Sequence, residues 1–131
     1  MDTIAPYSGN VYDQQCPTRL VLDRLADKWT VLVVGLLAHR TRRFGELRRE
    51  IMGISPKVLT QTLRALERDG ILTRRVYASV PPKVEYTLTP LGGTLIDLVA
   101  AISGWAETHI EAVLEAQQSF DQQVQDLGEL M

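Results

Sequence analysis

No stretch limits the possible folds of this chain more than SPKVLTQTLRALERDG at residues 55–70. Serine is a preferred helix N-cap, proline suits the first helical position, and glycine suits the residue just past a helix end. Ser55, Pro56 and Gly70 therefore bracket one helix. Inside it Leu59, Leu63 and Leu66 fall at i, i+4 and i+7 and draw one apolar stripe. Lys57, Gln61, Arg64 and Arg68 recur at helical spacing on another face, with Thr60 beside them. Such a helix has the chemistry to lie in a DNA major groove, where Arg, Lys and Gln read base edges. The same face also fits a solvated surface, so the flanking segments decide.

Upstream of that helix, HRTRR at 39–43 reads as a basic connector. Phe44, Leu47 and Ile51 then predict a short amphipathic helix, and Met52, Gly53 and Ile54 a tight turn. Short helix, glycine turn and basic second helix make a helix-turn-helix. After Gly70 the period changes. ILTRRVY at 71–77 and KVEYTL at 83–88 are β-prone, and ASVPP between them cannot be helical. The expectation is a two-stranded hairpin, or wing, with Arg74, Arg75 and Lys83 near or towards its tip. Earlier in the chain, Cys16 and Pro17 open a first helix whose buried side is expected from Leu20, Leu22 and Leu25. Asp27 caps a second, KWTVLVVGLLA at 28–38, which is apolar nearly all round and therefore central.

Thr89 and Pro90 start the last main helix, expected as one element over 90–116, roughly 40 Å long at 1.5 Å per residue. Leu91, Leu95, Leu98, Ile102, Trp105 and His109 follow a 4-3-4-3-4 spacing, the seam of a helix pair. Val99, Ala106, Ile110 and Val113 form a second stripe beside it. Apolar surface of that extent stays exposed in a single copy, so a homodimer is expected. Gly104 is a candidate bend. Phe120, Val124, Leu127 and Met131 keep helical spacing in the tail, which leaves an extra helix and a frayed end both open. Residues 1–15 read as an arm, with Tyr7, Val11 and Tyr12 as candidate docking residues. The chain thus divides into an arm (1–15), a winged helix-turn-helix (16–89) and a dimerisation helix with tail (90–131). The fold class is mainly α, of the α+β type.

The formal charge of −2 conceals an asymmetry. All 14 basic residues lie between Arg19 and Lys83, against six acids, a net +8. From Val84 onward there are eight acids and no Lys or Arg. A basic middle beside an acidic end is the polarity of a nucleic-acid-binding unit joined to something facing away from the polyanion. No apolar run is long enough to span a bilayer, and the first residues lack signal-peptide character, so the expectation is a cytoplasmic chain with no membrane partner. A single cysteine excludes an intrachain disulfide and a cysteine-based zinc cluster, and His39 and His109 show no metal-ligand spacing. With no paired catalytic carboxylates, nucleophile motif or phosphate loop, neither an enzyme nor a cofactor is expected.

The order of elements resembles the HxlR-type winged-helix transcriptional regulators of bacteria, over about residues 15–116. The resemblance rests on CP at 16–17, DKWTVLVVGLL at 27–37, RRFGELRREIMGIS at 42–55, LTQTLRALERDGILTR at 59–74, PPKVEYTLTPLG at 81–92, and Trp105. The family is similar in fold to MarR-type and ArsR-type regulators. It implies a homodimer on an inverted-repeat operator, with DNA contacts from the helix at 55–69 and the wing at 74–83. The residues and the resemblance together give a candidate double-stranded DNA contact set of Arg42, Arg43, Ser55, Lys57, Thr60, Gln61, Arg64, Arg74, Arg75 and Lys83. Arg48 and Arg49 are poorer candidates, since Glu46 and Glu50 stand close enough to pair with them. The family also implies, for some members, a phosphate- or metabolite-linked effector, and for others an oxidant or electrophile sensed by the cysteine aligned with Cys16. The residues agree that Cys16 is the candidate sensor: a helix start offers unpaired N–H groups, Arg19 follows one turn on, and both favour thiolate. Two other readings stay open, a non-covalent small-molecule effector near Trp29 and Trp105, and a winged helix used only for protein interaction.

Overall fold

The structure, a computed structural model, describes residues 9–130; Tyr7, with the rest of the arm through residue 8, and Met131 lie outside the described residues. The elements are α1 (Pro17–Leu25), α2 (Lys28–Leu37), β1 (Arg42–Arg43), α3 (Phe44–Glu50), α4 (Pro56–Arg68), β2 (Leu72–Tyr77), β3 (Lys83–Leu88), α5 (Pro90–Gly93) and α6 (Ile96–Leu130). The chain forms two compact units, one ending at Ile96 and the other beginning at Asp97.

Local chemistry sets the helix starts. Asp27 accepts a hydrogen bond from the Trp29 N–H at 3.1 Å, and Ser55 accepts from the Val58 N–H at 3.1 Å. Each satisfies a donor that the first helical turn leaves without an intrahelical partner. Thr89 does the same for Gly92 at 3.0 Å. Gly53 (φ +87°) and Gly70 (φ +76°) take the left-handed backbone that ends α3's turn and α4. Val33, Val34 and Leu37 of α2 are buried with Leu47 and Ile51, and with Leu59, Leu63 and Leu66 of α4. The expected central helix is therefore central, and the α4 stripe faces the core. Thr62, at 7% exposure, widens that buried face beyond the leucines.

Three expectations are corrected. The wing belongs to a three-stranded antiparallel sheet of order β1-β3-β2, because the connector at 42–43 pairs with Tyr86 and Glu85. Two residues carry no readable alternation, so only their partner strand reveals them. No residue of α1 is buried, and Leu20 and Leu22 stand 63% and 45% exposed. Leu20, Val21 and Leu22 are consecutive, so at 100° per residue they spread round the helix and one neighbour cannot cover them. The last helix is not one element from 90. α5 stops after four residues, a turn at Thr94 and Leu95 intervenes, and α6 then runs through Gly104 and the tail as 35 helical residues.

α5 lies hard against the turn that follows α4. A Cβ on Gly92 would sit 2.0 Å from the Ile71 carbonyl oxygen. The Thr89 N–H donates to that same oxygen at 3.0 Å, and the Thr89 hydroxyl lies 3.1 Å from it and 2.5 Å from the Gly70 carbonyl. α5 is thus pressed onto the turn that follows α4. The Thr94 hydroxyl donates to the Leu91 carbonyl at 2.5 Å and closes the short helix.

Candidate nucleic-acid interface

α4 presents its polar face as expected: Lys57, Thr60, Gln61, Arg64 and Arg68 are all exposed, opposite the buried leucines. Ser55 is committed to capping the helix rather than standing free. Between α4, the start of α3 and the wing lies a cleft of about 510 Å³, lined by Phe44, Thr60, Arg64, Glu67, Arg74 and Tyr86 among others. Arg64 and Arg74 both face it. The alternation of β2 explains this: Arg74 pairs with the buried Tyr86, so its side of the sheet is the one turned towards α4.

The opposite face of the wing is more self-contained. Arg75 and Tyr77 on β2 stand across from Glu85 and Lys83 on β3. The Lys83 amine lies 3.0 Å from Glu85 and 4.9 Å from the centre of the Tyr77 ring. The Arg75 guanidinium lies 4.6 Å from the same ring, and the Tyr77 hydroxyl donates to Glu85 at 3.2 Å. The Lys83 hydrogen bond holds the Glu85 carboxyl below its usual range, against some desolvation. Lys83 is therefore neutralised locally, while Arg75 keeps its charge. Arg74 and Arg75 sit mid-strand rather than at the tip, which Ser79 to Pro82 form.

Around α3 the ion pairs differ from the expected ones. Glu46 pairs with Arg40 at 2.8 Å and accepts the Arg43 backbone N–H at 3.0 Å. The Arg40 bond, then the Arg43 N–H, hold the Glu46 carboxyl below its usual range. Glu50 pairs with Arg42, whose side chain is only 8% exposed. Arg42 thus differs from the other cations of the expected contact set: its guanidinium is buried and folded inward onto its own carboxylate. Arg48 and Arg49, set aside because Glu46 and Glu50 were near, are exposed and make no ion pair among the described residues. The missed signal was geometric, since Arg40 and Arg42 reach those acids from the connector. Arg43 is exposed beside them.

Cys16 is the N-cap residue of α1 and half-buried. Its thiol is pushed below the usual range, first by the Asn10 backbone N–H, then by the Thr18 hydroxyl and N–H, with burial opposing. The expected help from the Arg19 side chain is absent. That guanidinium donates to the Val11 carbonyl at 3.2 Å and lies 3.9 Å from Asp23.

The seam residues fall on both units. Leu91 (α5, 55% exposed) and Leu95 (the following turn) belong to the first. Leu98, Ile102 and Trp105 of α6 are exposed in the second, as are Ile110, Leu114, Phe120, Val124 and Leu127. His109 stacks on Trp105 with ring centres 4.6 Å apart. Among the described residues no cluster of His, Cys, Asp and Glu could hold a metal ion, and no helix is long and apolar enough to cross a membrane.

This arrangement has known relatives. The sequence profile of the HxlR-like helix-turn-helix family matches residues 24–114. An uncharacterized HTH-type transcriptional regulator of Escherichia coli strain K12, YtfH, is 48% identical over 106 residues, covering 81% of this chain and 84% of YtfH. The structure of the ytfH regulator from Salmonella typhimurium is similar at a TM-score of 0.81 and 46% identity, covering 85% of this chain and 99% of that one. The redox regulator HypR in its reduced form is similar at a TM-score of 0.68 and 40% identity, over 77% of this chain and 99% of HypR.

Proposed function

This chain belongs to the HxlR-like helix-turn-helix family of DNA-binding transcriptional regulators, and on that premise we propose that it acts in the cytoplasm as a homodimer on an inverted-repeat operator. The observation that carries the reading is α4: three exposed cations with Thr60 and Gln61 on one face, and a fully buried leucine stripe behind them. Lys57, Thr60 and Gln61, on its N-terminal half, read bases, and Arg64 reaches a base or a phosphate. Each bidentate base contact is worth about 1–3 kcal/mol of discrimination. Ser55 contributes by fixing the first turn of the helix. Arg43, Arg74 and Arg75 neutralise phosphates, joined by Arg48 and Arg49. Lys83 is a weaker contact because Glu85 competes for its amine, and Arg42 is left out.

Of the expected seam, Leu91 is exposed in the first unit, and Leu98, Ile102, Trp105 and His109 are exposed in the second; these support the dimer, since exposed apolar surface of this kind marks an interface. Two-fold symmetry sets the half-sites about 10 bp apart, or a multiple. The test is selection of bound sites from random DNA, followed by a salt titration of the winner. A palindrome is expected. With six to ten phosphates engaged, affinity falls about 10³ to 10⁵ between 50 and 200 mM salt. No enrichment at low salt refutes the reading and favours a protein-interaction module.

Cys16 supports a second layer, response to oxidants or electrophiles. Hydrogen bonds from Asn10 and Thr18 lower its thiol in the direction that favours thiolate, the reactive form, and the similar HypR is a redox regulator. With one cysteine per chain the oxidised product is a link between two copies, a mixed disulfide or a sulfenic acid. A Cys16→Ser protein that still loses operator affinity in diamide refutes it, and moves the search to a non-covalent effector.

A further inference from the structure

A cavity of about 210 Å³ in the first unit shares no lining residue with the α4 cleft. Val21, Leu25, Ile71 and Leu91 supply apolar walls from α1, the α4–β2 turn and α5. One ion pair interrupts them. The Arg24 Nε–H donates to Asp69 Oδ2 at 2.8 Å, and both side chains line the cavity. The amino N–H groups of Arg24 have no further partner among the described residues. An apolar wall with one spare donor and one carboxylate acceptor is a recognisable ligand specification.

We propose that this cavity is an effector site for a small neutral phenol-like molecule, whose ring fills the apolar space and whose hydroxyl accepts from Arg24 and donates to Asp69. Size supports it, since apolar cavities of about 150 Å³ hold a benzene-sized guest. Charge selects the class. The pair is neutral overall, so an anion meets the Asp69 carboxylate and a cation meets the Arg24 guanidinium. Leu91 and Leu95, which belong to the seam of the proposed dimer, also line this cavity, but a second copy laying an apolar side chain against the ion pair would desolvate it and give it no hydrogen bond, which is costly. The site also touches what an effector must move. Asp69 is the residue that closes α4, and Ile71 is the residue whose carbonyl receives Thr89 at the root of the wing. A guest between α1 and this turn bears on the recognition helix and the wing together.

The regulatory half of the inference rests on the DNA-binding function proposed above, whereas the binding half needs no DNA. The test is methyl NMR of the full-length protein titrated with phenol, benzene and benzoate. Phenol is expected to saturate at about 1 mM or tighter, with shifts confined to the methyls of Val21, Leu25, Ile71, Leu91, Thr94 and Leu95. Benzene binds at least about tenfold more weakly, and benzoate does not bind. Arg24→Met lowers the preference for phenol over benzene, since only the Asp69 acceptor is left for the hydroxyl, and Val21→Trp, at a position already half-exposed, abolishes binding of both. Phenol shifts that are absent, that persist in Val21→Trp, or that show only after the protein is diluted to monomer overturn the site. The last result would give the cavity to a second copy. In a parallel binding assay, saturating phenol changes operator affinity about fivefold or more in the wild type and not in Val21→Trp. Unchanged affinity despite binding overturns the effector role, while operator binding by the unliganded protein judges the DNA reading separately.

Discussion

Gly92 and Gly93 are neighbours in a four-residue helix, yet substituting alanine at each should have opposite effects. A Cβ at Gly92 meets the Ile71 carbonyl oxygen at 2.0 Å, the Ile71 carbonyl carbon at 3.0 Å and Leu88 Cδ2 at 3.1 Å. The first contact is more than 1 Å inside any tolerable approach, and it is to backbone, which cannot rotate away. α5 must lift off the α4–β2 turn. That weakens the 3.0 Å bond from the Thr89 N–H to Ile71 and disturbs the shared Thr89 hydroxyl. Overpacking costs about 1–3 kcal/mol and the lost bond about 1 kcal/mol, so Gly92→Ala should destabilise by about 2–4 kcal/mol. Gly93 has nothing within 4 Å of its Cβ position. Gly93→Ala should be neutral or stabilising by up to about 1 kcal/mol, since alanine loses less conformational freedom on entering a helix. Urea and thermal unfolding at one fixed protein concentration, followed by circular dichroism, read both. Gly92→Ala should melt roughly 10 °C or more below wild type. Equal midpoints for the two variants would refute the packing of α5 on Ile71.

Three further outcomes follow from the side-chain environments. Arg42→Met should leave the salt dependence of operator binding unchanged, because Arg42 is folded onto Glu50, whereas Arg64→Gln should lower the slope of log affinity against log salt by about 0.9 per subunit; fluorescence anisotropy at four or five salt concentrations measures both. Iodoacetamide should alkylate Cys16 with a pH midpoint below that of the urea-unfolded chain, since hydrogen bonds from Asn10 and Thr18 favour thiolate in the fold; mass spectrometry of timed quenches gives the rate, and a higher midpoint in the folded protein would contradict the assigned environment. Glu46 is depressed in the folded state by Arg40, so its contribution is present above its unfolded value of about 4.3 and lost as pH falls through the lower folded value. Glu46→Gln should therefore flatten the loss of stability below about pH 4.5, measured by urea midpoints at successive pH values.

The parts legible in the sequence were those fixed by local chemistry. Ser55, Asp27 and Thr89 cap helices because a side-chain oxygen reaches an N–H two or three residues on, and neither end of that bond depends on tertiary structure. The Leu59, Leu63 and Leu66 stripe was legible because periodicity alone decides which side is buried. What escaped depended on distant partners. β1 exists only because Tyr86 and Glu85 arrive beside Arg42 and Arg43. The acids Glu46 and Glu50 were claimed by Arg40 and Arg42, so the poorer candidates Arg48 and Arg49 became the exposed cations. The seam from Leu91 to His109 reads as one helix because its spacing survives the interruption at Thr94 and Leu95. The close approach of Gly92 to Ile71 just before that interruption is a contact between residues 21 apart in sequence.

The sheet carries a consequence for colloidal behaviour. A three-stranded sheet has two open edges, and open edges invite another chain to add a strand. Here one edge, β1, is two residues long and made of arginines; the other, β2, carries Arg74 and Arg75 side by side at mid-strand. A strand added along either edge must crowd its own charges against these or strip them of water. The prolines at 81 and 82 deny a third route at the tip. Arg43, Arg74 and Arg75, proposed above to neutralise phosphates, thus also guard the edges of this sheet, and variants made to weaken DNA binding by removing them should precipitate at lower protein concentration than the wild type.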